Sequence, residues 1–86
     1  MARFLDHHPM PPISSEQLRK LTNQIKVSID SKKPDNFGVT QLNVFMGAGE
    51  AWGYSDAPNA EAVVKSHASL GIKITVNDVF QVSPVV

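Results

Sequence analysis

Asp6, His7 and His8 stand side by side in Phe4-Leu5-Asp6-His7-His8-Pro9, and the third histidine of the chain, His67, lies far from them along it. Imidazole nitrogens and a carboxylate without any thiolate suit borderline divalent cations such as nickel, copper or zinc better than magnesium or calcium, which prefer oxygen. The same side chains are also the usual carriers of a proton in general acid–base chemistry. Successive residues of a strand point to opposite faces, so the His7-His8 pair is not one chelate. Asp6 and His8 share one side, with Cβ atoms roughly 7 Å apart, while Leu5 and His7 share the other. Two such side chains can close around one cation with bonds of ~2.1 Å. On that alternation His7 is a solvated or interface residue, and it becomes a further candidate ligand where the strand frays before Pro9.

His67 follows Val63 by four residues and Val64 by three, which sets it within the apolar stripe of a helix rather than on its wet face. A buried imidazole needs a hydrogen-bond partner. Two readings stay open: a core histidine satisfied by a carbonyl or by Asp6, and a third ligand converging with Asp6 and His8. The chain contains neither HExxH nor HxxxH, so no sharp metal motif decides between them.

The elements that must position these groups are legible in outline. Ala2 to His8 alternates as a strand and Met10-Pro11-Pro12 ends it in an extended connection. Ser14 with Gln17 three residues on is a capping-box pattern, and Leu18, Leu21, Ile25 and Ile29 recur at helical spacing. Lys32-Lys33-Pro34-Asp35-Asn36 stops that helix. Val39 to Met46 and Ala51 to Asp56 form a hairpin about Gly47-Ala48-Gly49. Pro58 marks the start of a second helix whose packed side carries Ala60, Val63, Val64 and His67 and which ends at Gly71. Residues from Ile72 to Val86 contain the last strand, centred on Val79 to Val82.

The resulting order, β-α-β-β-α-β, predicts an α+β ferredoxin-like domain: a four-stranded antiparallel sheet with strands one and three central and both helices on one face. Alternation puts Val39 and Phe45 on one side of strand two and Leu42, Val44 and Met46 on the other. Apolar residues on both sides leave the helix-free face in need of a cover, and a second copy of the chain, closing a dimeric α+β barrel, is the simplest one. A monomer with a wet sheet face is the alternative. Trp52 and Tyr54 share a face of strand three, where they pack a core or dimer interface or, less in keeping with so few aromatic residues, floor a small-molecule pocket or stack on a base.

Bulk properties narrow the function classes. With 86 residues and 42% hydrophobic content the chain forms one domain, 1–86. The absence of cysteine removes disulfides, zinc–thiolate sites, iron–sulfur clusters and thiol nucleophiles, and suits a reducing cytoplasm. Eight basic and eight acidic residues cancel, and the basic ones are scattered, so no nucleic-acid partner is expected. Neither a signal-like N-terminus nor a membrane-length apolar run is present. No serine lies in a GxSxG turn, and Gly47-Ala48-Gly49 lacks the GK[ST] of a phosphate loop.

Taken together, the N-terminal RFLDHH, the central GEAWGYSDAPNAEAV and the later KSHASLGI resemble a family of small ferredoxin-like proteins, many of unknown function, that includes nickel-responsive bacterial proteins. The resemblance spans nearly the whole chain. It implies the same fold, a dimer, and His8 and His67 at the family's two recurrent histidines, with Asp6 at its strand-one acid. Many relatives carry a cysteine in strand three where this chain has Gly53, so a thiolate-assisted version of the site does not operate here. Two functions from different classes follow as expectations. The first is a divalent-metal-binding protein of nickel type, buffering or sensing the ion through His8 and His67 with Asp6 or His7. The second is a small-molecule enzyme on the dimeric barrel, in which an Asp6–His8 or His67 pair moves a proton in a pocket between helix-free sheet faces. A scaffold module without a ligand is a third possibility.

Overall fold

Two strands that carry the chemistry lie at the centre of the sheet. In the computed structural model, which describes residues 2–10, 12–83 and 85, the elements run β1 (Ala2–Pro9), α1 (Ser15–Ser31), β2 (Thr40–Gly47), β3 (Glu50–Ala57), α2 (Ala60–Ser69) and β4 (Val79–Val82). The sheet order is β2-β3-β1-β4 with every pairing antiparallel, which is the ferredoxin-like arrangement. Of the expected connections, Pro11 and the terminal Pro84 and Val86 lie outside the described residues.

The start of α1 is set locally. The Ser14 hydroxyl accepts from the Gln17 N–H at 3.1 Å while the Gln17 side chain accepts from the Ser14 N–H at 3.0 Å, the reciprocal capping box expected from the sequence. Its apolar residues Leu18, Leu21, Ile25 and Ile29 are only half-buried, and among the described elements α1 packs chiefly on β2. The second helix begins later than Pro58 suggested: Asn59 is its N-cap, with Oδ1 accepting from the Ala62 N–H at 2.8 Å. Pro58 stands one residue outside the helix, because an asparagine side chain can satisfy an orphan N–H and proline cannot. Past the C-cap Leu70, Gly71 adopts a φ of +80°, and the left-handed turn sends the chain back towards β4.

Strand β2 departs from strict alternation. Gln41 pairs with Ser55 but Asn43 pairs with Tyr54, so an extra residue bulges between them. The bulge inverts the pattern: Val39 is buried in the core, whereas Phe45 stands opposite Trp52 on the helix-free face and Val44 and Met46 point towards the helices. The expectation that Val39 and Phe45 share a face fails for this reason. The hairpin to β3 turns through Ala48 and Gly49, with φ of 54° and 75°, the two left-handed residues of a type I′ turn.

The core occupies one half of the helix-covered face. Phe4, Val39, Ala57, Ala62, Val63, Ile74 and Val79 form it, with α2 as its lid. The other half of that face, towards the C-terminal end of β1, holds Asp6, His8, Ala51 and Gly53 beneath the gap between α1 and α2. The helix-free face presents Leu5, Trp52, Tyr54, Phe45 and Phe80 among charged residues. None of the described helices is long and apolar enough to cross a membrane.

Candidate metal centre

Asp6 points into the molecule because β1 alternates: Phe4 and Asp6 are buried, and Leu5 and His7 lie on the other side. Its cross-strand partner is Gly53. A Cβ built on Gly53 would lie 2.5 Å from Asp6 Oδ2 and 3.0 Å from Cγ and Oδ1, so the missing side chain makes the space that the carboxylate occupies. The Asp6 side chain is fully buried, and among the described residues no backbone or uncharged side-chain group hydrogen-bonds to either of its oxygens. Such a group carries a large desolvation cost unless a positive partner meets it.

That partner comes from α2. His67 Nε2 lies 3.1 Å from Asp6 Oδ1, and His67 Nδ1 lies 2.9 Å from the carbonyl oxygen of Val63, one turn earlier. A carbonyl can only accept, so Nδ1 carries the hydrogen and Nε2 of the neutral ring is a bare lone pair. A lone pair directed at a carboxylate is repulsive unless a proton or a cation lies between them. His8 is prepared in the same way: its Nδ1 is 2.9 Å from the Pro9 carbonyl oxygen, which leaves Nε2 as the ligating atom. The two imidazoles meet edge to face with centroids 5.6 Å apart.

Asp6, His8 and His67 each offer one donor atom, and those atoms lie within 4.8 Å of one another. A cation with ~2.1 Å bonds needs its donors ~3.0–3.4 Å apart. The Asp6–His67 separation of 3.1 Å already meets that figure. Burial alone pulls the His67 pKa down, but the Asp6 carboxylate, the Val63 carbonyl and the charge of Asp35 outweigh it and raise the pKa above the ordinary 6.5. When His67 is protonated, its Nε2 hydrogen takes the position between the two side chains.

No family model and no curated protein matches this chain. Among solved structures it is similar to the crystal structure of SCO4226 from Streptomyces coelicolor A3(2), at 24% sequence identity and a TM-score of 0.67, over 99% of this chain and 100% of that one. At that identity the likeness carries the fold.

Of the four residues singled out in the sequence, three converge. His7 does not: it stands on the helix-free face, stacked on Trp52 with centroids 5.1 Å apart and with Nε2 3.0 Å from Glu50. Pro9 ends the strand without fraying it, so the alternation holds through His8. The same alternation redirects the enzyme reading. Asp6, His8 and His67 face the helices, so a chamber between helix-free sheet faces would not contain them, and any proton transfer by these groups belongs to the cleft between α1 and α2. Sequence reasoning noted Gly53 as a missing thiolate but missed its role as the space for Asp6. A glycine inside a strand, directly between Trp52 and Tyr54, was the available signal.

Proposed function

We propose that this protein binds a divalent transition-metal ion, of the nickel, copper or zinc group, through Asp6, His8 and His67. The observation that carries the reading is a convergence: a backbone carbonyl accepts from Nδ1 of each histidine and leaves Nε2 as the ligating atom, and the donors of Asp6, His8 and His67 lie within 4.8 Å of one another around a buried carboxylate. Hydrogen bonds of this kind are the usual second shell of metal-bound imidazoles. The absence of a thiolate tilts the donor set away from the softest ions. Buffering or sensing of the ion is the physiological role that such a small domain fits.

Calorimetric titration of tag-free apoprotein with nickel, copper and zinc tests the reading. One ion per chain with a Kd well below ~100 μM is expected, an affinity beyond that of stray surface histidines. His67→Ala and His8→Ala should each lose that affinity. Binding no tighter than ~100 μM, or equal affinity in both variants, would refute it.

We further infer a homodimer formed through the helix-free face, supported by the exposed Phe45 and Phe80 and the half-buried Leu5, Trp52 and Tyr54 that share it.

A further inference from the structure

Three protein donors leave a bound ion with at least one open position. In this chain the donors line the floor of a cleft between α1 and α2, whose walls include Met10, Leu21, Ile25, Val44, Leu70 and Ile72. Apart from the donors, no charged side chain lines that chamber among the described residues. Two of its other polar side chains have their hydrogens committed: Gln41 Nε2 donates to the carbonyls of Asn43 and Tyr54, and Ser66 Oγ donates to Asp35 Oδ2. The chamber beside the donors has a volume of about 60 Å³. Leu21, Ile25, Gln41, Ser66 and Leu70 are shared with an adjoining chamber of about 170 Å³ that runs towards Asp35. A water needs roughly 10–15 Å³ on the same measure, so both spaces exceed what a water ligand to the ion requires.

We propose that the loaded site takes a small organic ligand with an anionic, metal-coordinating head and a short unbranched apolar tail, the head on the ion and the tail in the cleft. The proposal rests on the metal reading above. A divalent ion with a single carboxylate ligand retains positive charge, which selects an anionic head. Met10, Leu21, Ile25, Val44, Leu70 and Ile72 offer methylenes a surface to cover, while the polar groups Gln24, Ser28, Asp35 and Ser69 lie further on, in the adjoining chamber.

Acetohydroxamate and hexanohydroxamate share a head and differ by four methylenes, and cobalt(II) reports head ligation through its visible absorption. The protein is first titrated with cobalt(II), then the loaded protein with each hydroxamate. Each buried methylene strengthens binding about fourfold, so burying three of them gives a preference for the longer probe on the order of sixtyfold. Both probes should alter the cobalt spectrum, and Leu21→Ser should shrink the preference several-fold. Equal affinity for the two probes, an unchanged spectrum, a preference unaffected in Leu21→Ser, or equally tight binding to metal-free protein would overturn the ligand proposal while the metal reading stood. Failure of the protein to load with cobalt(II), nickel(II) or zinc(II) in the first titration would overturn both.

Discussion

Asp6 and Gly53 form one unit, since the carboxylate fits only because its cross-strand neighbour has no side chain. Gly53→Ala must therefore push Asp6 off its position or open the β1–β3 spacing. A loss of about 1–3 kcal/mol in unfolding free energy is expected, typical of overpacking, with metal affinity lowered tenfold or more. In the Asp6→Ala background the same glycine substitution should cost about 1–2 kcal/mol less, because the clashing atoms are gone. Chemical denaturation of the four proteins of that cycle checks it, and simple additivity would separate the two residues. The proton on His67 gives a second prediction. Its raised pKa means the folded state holds that proton more tightly than the unfolded chain, so the contribution to stability is complete below pH 6.5 and disappears as pH rises through the raised value. Metal displaces the same proton, and apparent metal affinity should climb with pH above 6.5 until His67 is neutral. Asp6→Asn removes the carboxylate charge and should lower the His67 titration midpoint, read from its ring proton resonances.

At the scale of elements, the capping box of α1 and the strand at Val79–Val82 were legible because each is written in local residues. The β1 alternation was equally legible, and it alone placed Asp6 with His8 and separated His7. The bulge between Gln41 and Asn43 was not, since it depends on how β2 settles against β3 and no glycine marks it. Nor was the approach of His67 to Asp6, which requires α2 to dock at one rotation over β1 across 60 intervening residues. The hairpin turn shows a local choice that is not optimal. Ala48 holds a φ of 54°, a left-handed conformation that costs an L-residue with a Cβ roughly 1–2 kcal/mol. Asparagine and glycine accept that conformation more readily. Ala48→Asn is expected to raise stability by about 0.5–1 kcal/mol, measured as a shift in denaturation midpoint at unchanged slope. The turn lies at the far end of the hairpin from the β2 bulge, so the substitution leaves the register of that strand alone.

The whole molecule has two unlike faces, and they assign separate tasks. The helix-covered face holds the core and the donor cluster; the helix-free face holds an apolar band between the ion pair of Arg3 with Asp56 at 2.8 Å and the contact of His7 with Glu50 at 3.0 Å. In a two-fold dimer each such residue meets its symmetry mate's surroundings, and a band with charges at its borders suits a self-complementary interface. Phe45 and Phe80 are each 53% exposed, on opposite edge strands, so charging them leaves the isolated chain's core untouched. Four rings would be buried per dimer, each contributing about 1 kcal/mol, and their loss should weaken association on the order of a thousandfold. Sedimentation should find the wild-type chain dimeric at micromolar concentration and Phe45→Lys/Phe80→Lys monomeric, with an unchanged far-ultraviolet spectrum. Because the donors face the other way, metal affinity should be the same in both. A wild-type chain that sediments as a monomer at ~100 μM would remove the dimer, and a metal affinity that falls with dissociation would show that the two faces are coupled after all.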